Sequence, residues 1–252
     1  MNTIVTSLLA EASEWEGEFL CFWGHSGSGV GPWCLSQWHL SGFECDGRAF
    51  PTAEHWMMVQ KAELFGDRQA ARNILADDDP GRAKALGRGV RGFHGPTWDR
   101  SKFSIVATGN ALKFSQNPLL ADYLLSTAPR PLVEASPVDL VWGVGLSRED
   151  PRVHTTSAWR GQNLLGFALM RVRSLLALAD PSSSTGQTLL PPWAQAPDEE
   201  RSSTYWRMGG GESYLMRFCV WWRTASEKAR AETRLEYPER GSWWGWYDEI
   251  TR

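Results

Sequence analysis

Pro51-Thr52-Ala53-Glu54-His55-Trp56-Met57-Met58-Val59-Gln60-Lys61 sets a helix directly behind a hairpin. Upstream, Phe43-Glu44-Cys45 and Arg48-Ala49-Phe50 flank Asp46-Gly47, and Asp-Gly supplies the positive φ angles of a tight hairpin turn. Pro51 ends the second strand because it has no N–H for a ladder. Thr52 is placed to cap the next helix by accepting a bond from a free first-turn N–H. Glu54 then falls in the first turn, with Met58 and Lys61 one and two turns further along its face. A carboxylate there ordinarily complements the helix dipole from the surface. Trp56, Met57, Met58 and Val59 leave little of this helix polar enough to face water, however. A carboxylate held at such a junction among bulky apolar groups is well placed to have its acidity tuned.

Outward from this segment, Phe19-Leu20-Cys21-Phe22-Trp23 reads as a buried strand. The glycine- and serine-rich run 24–31 reads as a loop that could cradle a phosphate through backbone N–H groups, although it lacks a P-loop pattern. Downstream, three helical segments are expected. The first is capped by Asp67, the second covers 81–86 and stops at Gly87, and the longest covers 98–116 with Phe103, Val106, Leu112 and Phe114 inward. Arg88, between Gly87 and Gly89, is expected on flexible backbone, where it could clamp a phosphate. A short helix covers 119–125. Strands are expected over 131–135 and 138–142, the second carrying the acid Asp139 beside Trp142. The connection 145–162 is long enough to be a functional lid or a disordered insert. Asn163 opens an amphipathic helix over 164–179, with Leu165, Leu169, Val172 and Leu176 inward.

The 252 residues carry a net charge of −3, so no global basic field draws the chain to nucleic acid. Cys21, Cys34, Cys45 and Cys219 show no CxxC spacing and read as reduced thiols. The five histidines form no metal-ligand pattern, and no cofactor is implied. No apolar run approaches a membrane span, and no signal peptide is evident, so the cytoplasm is the expected compartment. Fifteen tryptophans are the compositional oddity. Several sit beside glycine, where a ring can be offered to a planar ligand such as a nucleobase.

The expected organisation is α+β: a lead-in over 1–18, one mainly helical domain with short strands over 19–179, a flexible linker over 180–212, and a small Trp-rich helical appendage over 213–252. The appendage is too short for a stable core of its own, so it is expected to pack on the main domain or on a partner.

Residues 19–178 resemble the NADAR family. The matching pieces come in family order: Phe22-Trp23; Leu35-Ser36-Gln37-Trp38; Phe50-Pro51-Thr52-Ala53-Glu54-His55 with Gln60-Lys61; Gly87-Arg88; Trp98; Lys113-Phe114; Leu132-Val133-Glu134; Asp139-Leu140-Val141-Trp142-Gly143; and Gly161-Gln162-Asn163-Leu164-Leu165-Gly166. The resemblance implies an α+β fold and hydrolysis of N-ribosyl bonds. One branch of the family destroys ribosylamino-pyrimidine phosphates of the riboflavin pathway. Another removes ADP-ribose from guanine in DNA. The chain departs from the compact riboflavin-type pattern in the loop through Ser147-Arg148-Glu149-Asp150-Pro151 and Trp159-Arg160, which is expected to border the substrate.

On this reading Glu54 is the catalytic carboxylate and Asp139 the second acid. Trp23, Trp98 and Trp142 are candidates to stack on a base, Lys61 and Arg88 to pair with phosphate, and Gln37 and Asn163 to hydrogen-bond the substrate. The expected ligand is a small ribosylated nucleobase or phosphate-bearing nucleotide. The alternatives are ADP-ribosylated DNA as substrate, and an ADP-ribose-binding module without turnover.

Overall fold

The computed structural model describes residues 3–13, 15, 18–179, 189–207 and 209–251. They divide into two units, Met1–Arg173 and Ser174–Arg252. The first holds α1 (Thr3–Ala12), β1 (Leu20–Phe22), β2 (Phe43–Cys45), β3 (Arg48–Phe50), α2 (Ala53–Leu64), α3 (Arg68–Leu75), α4 (Pro80–Arg88), α5 (Gly95–Ser115), α6 (Pro118–Ser126) and β4 (Leu132–Glu134). A further helix, α7 (Leu164–Ala179), runs across the boundary. The result is the expected α+β class, mainly helical with short strands.

The hairpin forms as its turn residues require: Asp46 and Gly47 both take positive φ, 52° and 70°, and β2 pairs antiparallel with β3. Thr52 caps α2 by accepting from the His55 N–H at 3.3 Å. His55 is itself buried, with Nδ1 against the Thr52 hydroxyl and Nε2 against the Asp77 carbonyl, both at 2.8 Å. It therefore ties the start of α2 to the loop before α4. From Ala53 to Val59 every residue of α2 is buried. Its apolar side chains each contribute about 1.5–3 kcal/mol by leaving water. Trp56 lies across α5, donating from Nε1 to the Ile105 carbonyl at 2.8 Å. A Cβ at Gly109 would stand 2.3 Å from that indole, so the close approach of α2 and α5 needs glycine there. Phe103, Val106, Leu112 and Phe114 form the buried stripe of α5.

β1 and β4 pair in parallel, with Phe22 opposite Glu134. Val133, Ala135, Val144, Leu146 and Val153 pack with Phe19 into one cluster, against which Trp15 and Trp159 rest. The long connection 145–162 is thus an ordered insert of two 3-10 turns, Pro151–His154 and Thr156–Ala158, pinned by the buried Val153.

Two other expectations change. Residues 138–142 form a turn instead of a strand, because Asp139 Oδ1 accepts from the N–H groups of Val141 and Trp142, both at 2.8 Å, and so bends the backbone. Gly87 does not stop its helix. It lies buried inside α4, where a Cβ would meet the Met58 sulfur at 2.0 Å, and α4 continues through Arg88.

In the second unit, 180–188 of the expected linker lie outside the described residues. From Leu189 the described chain is structured, through α8 (Pro192–Gln195), a 3-10 turn (Thr204–Arg207), α9 (Gly209–Thr224), α10 (Glu227–Glu236) and α11 (Trp246–Thr251). Trp193 and Trp206, placed in the linker by composition, join Phe218, Trp222, Trp243, Trp246, Tyr247 and Ile250 in one aromatic core. Much of the tryptophan excess is accounted for here: five of the fifteen are packed in this core.

Candidate active site

In the first unit α2, α4, α5 and the 138–142 turn enclose a pocket of ≈ 450 Å³. Glu54, Met57, Met58 and Lys61 come from α2, Lys84 and Arg88 from α4, and Trp98, Asp99 and Lys102 from α5. Val138, Asp139, Leu140, Val141 and Trp142 close it from the turn. Val138 and Leu140 are 83% and 52% exposed, so part of this side is an apolar rim facing water. A larger hollow of ≈ 620 Å³ between α3 and α4 is lined by Asp67 and Asp77, each already paired with an arginine, Arg91 and Arg82. It brings together no unpaired acid and base.

Glu54 is 2% exposed. Its N–H donates to the Gln37 carbonyl at 2.9 Å, and the Trp38 side chain hydrogen-bonds its carboxylate. Oε1 is out of solvent and has no hydrogen-bond partner. Burial pushes the Glu54 carboxyl up to about 7 and the neighbouring Asp139 charge adds to this, while Lys84, the Trp38 bond and Arg88 pull the other way. Glu54 can therefore exchange a proton near neutral pH.

Glu134, at the end of β4, is a third carboxyl in the same field. Burial pushes it up to about 8, and Asp139 and Glu54 raise it further against the opposing Lys84. Its Oε2 is likewise buried without a partner. Sequence reasoning placed it in a matched motif but gave it no role. Three residues of alternating pattern do not say which side of a strand faces the site. Lys84 and Trp38 were also missed. Lys84 reads as an ordinary polar helix residue, yet its Nζ lies 5.6 Å from the Trp38 ring centroid and it lines the pocket.

Lys61 Nζ donates to the Gly87 carbonyl at 2.8 Å and lies over the rings of Phe93 and Trp98, at 4.4 and 5.6 Å. Burial, with Arg88 beside it, lowers its pKa. Lys102 is paired with Asp99 at 2.7 Å. Cations thus line the pocket from α2, α4 and α5.

Of the residues singled out from the sequence, Glu54, Asp139, Lys61, Arg88, Trp98 and Trp142 line this one pocket. Three candidates do not. Trp23 is 56% exposed and does not line the pocket, since the chain leaves β1 into the glycine loop at that point. Gln37 is buried behind Glu54, its Oε1 accepting from Asn110 Nδ2 at 2.7 Å. Asn163 is fully buried and spans β4. Its Oδ1 accepts from the Glu134 N–H at 3.0 Å and its Nδ2 donates to the Leu132 carbonyl at 2.9 Å. Its amide is therefore spent on the backbone and positions Glu134 instead of meeting a ligand.

No residue of 145–162 lines the pocket. In the glycine loop the Trp33 ring fills the space where Cβ atoms at Gly27 and Gly31 would stand, at 2.2 and 2.5 Å, so these glycines make room for an indole. Among the described residues no group of His, Cys, Asp and Glu is arranged to hold a metal ion, and no helix is long and apolar enough to cross a membrane.

The profile of the NADAR domain matches residues 21–177. The chain is 40% identical over 161 residues to N-glycosidase R617 of Acanthamoeba polyphaga mimivirus, covering 62% of this chain and 95% of that protein. It is 32% identical over 133 residues to N-glycosidase YbiA of Escherichia coli strain K12, covering 53% and 74%. It is 34% identical over 143 residues to part of the chloroplastic riboflavin biosynthesis protein PYRR of Zea mays, covering 54% and 21%. The NMR structure of E. coli YbiA superimposes with a TM-score of 0.53 at 28% identity, over 64% of this chain and 85% of that one.

Proposed function

The chain belongs to the NADAR family, in company with N-glycosidases, and we propose that it hydrolyses the N-ribosyl bond of a small, phosphate-bearing ribosylated base. The observation that carries this reading is the buried Glu54 carboxylate, with one unpartnered oxygen, in a pocket that also holds the cations Lys61, Lys84 and Arg88 and the indoles of Trp98 and Trp142.

Breaking the bond between the ribose C1′ and nitrogen builds positive charge on the sugar and leaves an electron pair on the departing nitrogen. Ionised Glu54 faces that charge and takes a proton from the attacking water as its oxygen bonds to C1′. The leaving nitrogen takes up a proton from solvent, Glu54 returns the water proton to solvent, and the products are the free sugar phosphate and the free base. Trp98 and Trp142 offer rings for the base, a contact worth about 1–3 kcal/mol. Lys61 and Arg88 supply charge-assisted donors for phosphate. The Oδ1 atom of Asp139 is held by two backbone N–H groups, which fixes this acid at the pocket wall.

Ribosylamino-pyrimidine phosphates of riboflavin synthesis fit this chemistry best. They carry one N-ribosyl bond, one planar ring and one phosphate, and a relative is named for that pathway. A second reading keeps the same bond and the same Glu54 but takes ADP-ribosylated guanine in DNA. The exposed Val138 and Leu140 at the rim suit a substrate that extends beyond the pocket. Incubating the pure protein with each substrate decides. Release of ribose 5-phosphate supports the first reading, release of ADP-ribose from DNA supports the second, and turnover of neither removes both.

A further inference from the structure

Side chains at the C-terminal end of α5 bond one stretch of chain, residues 34–44. Asn110 Nδ2 donates to Gln37 Oε1 at 2.7 Å, and Lys113 Nζ donates to the Cys34 and Ser36 carbonyls at 2.6 and 2.9 Å. Just past the helix, Gln116 Nε2 donates to the Glu44 carbonyl at 2.9 Å and Asn117 Nδ2 to the Gly42 carbonyl at 3.1 Å. After the 3-10 turn Pro32–Leu35, residues 36–42 lie in no helix or strand that would order them, so these bonds from α5 do so.

Lys113 is the unusual member. It is fully buried, and among the described residues its ammonium bonds backbone carbonyls and no carboxylate. A cation placed so is costly, which sets weight on what it holds. Burial lowers its pKa to about 7, and the neutral amine still carries the two N–H groups that these carbonyls take.

The held stretch meets Glu54. The Gln37 carbonyl accepts from the Glu54 N–H at 2.9 Å. That N–H lies in the first turn of α2, where no carbonyl of the helix can serve it. Next in the chain, Trp38 hydrogen-bonds the Glu54 carboxylate, and its own N–H donates to the Ser36 hydroxyl at 3.2 Å. Lys113 thus reaches Glu54 through the peptide of Ser36 and Gln37, gripping one carbonyl while the next one grips Glu54.

Resting on the reading of Glu54 as the working carboxylate, we infer that Lys113, helped by Asn110, is a positioning residue for that reaction: from α5 it fixes residues 34–38 as a strap, and the strap fixes Glu54 at the pocket. Neither Lys113 nor Asn110 lines the pocket, so both act through Glu54 and not on the substrate. Without the amine, two buried carbonyls lose their donor, the strap shifts to find another, and Glu54 loses its hold on the Gln37 carbonyl.

The test is amide hydrogen exchange by NMR in the full chain, with kcat and KM measured beside it. Lys113→Met nearly keeps the length of the side chain and removes its N–H groups. The Glu54 N–H should then exchange about tenfold faster or more, the scale of one lost hydrogen bond, while the Val59 N–H inside α2 keeps its wild-type rate. On the ribosylated substrate kcat should fall about tenfold or more with KM held within about twofold, as when the reacting group is misplaced and the binding groups are not. A general loosening of the fold would instead raise exchange at Glu54 and Val59 together. That result, an unmoved Glu54 amide or an unchanged kcat overturns the inference. Should Lys113→Met fail to fold, Asn110→Ala, which cuts only the tie to the Gln37 side chain, decides by the same two readings. A wild-type protein inactive on every ribosylated base would defeat the glycosidase reading, while exchange at Glu54 would still decide whether Lys113 holds it.

Discussion

The Asn163 side chain bridges two alternate residues of the β4 backbone, accepting from Glu134 N–H at 3.0 Å and donating to the Leu132 carbonyl at 2.9 Å. It does so from a backbone with φ of 51°, a conformation that asparagine tolerates better than most residues. One residue thus joins the start of α7 to the strand that carries the third carboxyl.

Asn163→Asp should therefore weaken the fold. The carboxylate still accepts from Glu134 N–H, but it can no longer donate and is set against the Leu132 carbonyl. Losing a buried donor of this kind costs about 1–3 kcal/mol. Urea unfolding of variant and wild type at pH 7 checks it. An unchanged midpoint would mean the bridge carries no stability.

The hairpin, the Thr52 cap and the buried helix behind them were readable because each rests on neighbours in sequence. Asp46-Gly47 sets the turn, Thr52 meets a free N–H three residues on, and Trp56 to Val59 leave α2 no wet face. Glu134 was not readable as a site residue. Its direction is decided by parallel pairing with β1, more than a hundred residues away, and the strand itself is only three residues long. Asn163 before a helix looks the same whether it holds a ligand or a strand, and only the positions of Glu134 and Leu132 separate the two. The tryptophan excess misled in a similar way. Composition cannot distinguish rings offered to a base from rings packed on one another, and the aromatic core of the second unit takes Trp193, Trp206, Trp222, Trp243 and Trp246.

Removing pocket cations should separate phosphate recognition from chemistry. Arg88→Ala and Lys61→Met are each expected to raise KM for the phosphorylated substrate by about tenfold, the loss of roughly one charge-assisted contact. The matching dephosphorylated nucleoside should show little change between wild type and variants. Equal losses on both substrates would take these two side chains away from the phosphate.

The raised carboxyls also set how stability varies with pH. Glu54 and Glu134 bind protons more tightly folded than unfolded, since burial moves them from 4.5 to about 7 and about 8. Their stabilising contribution is full below pH 4.5 and is lost as pH rises through those folded values. Glu54→Gln removes one buried charge, so it should exceed wild type in stability at pH 8 by on the order of 2–3 kcal/mol, and this advantage should shrink towards pH 5. Denaturant unfolding at the two pH values reads it directly. A variant less stable than wild type at pH 8 would show that Glu54 is not held against its own desolvation.

The most direct measurement is single-turnover hydrolysis by Glu54→Gln, paired with calorimetric binding of the sugar phosphate product to the same protein. Hydrolysis should fall by at least about a hundredfold, the scale of general-base catalysis, while product affinity stays close to that of wild type. Hydrolysis at the wild-type rate would contradict this assignment, because no role would then remain for the carboxylate buried at the foot of α2.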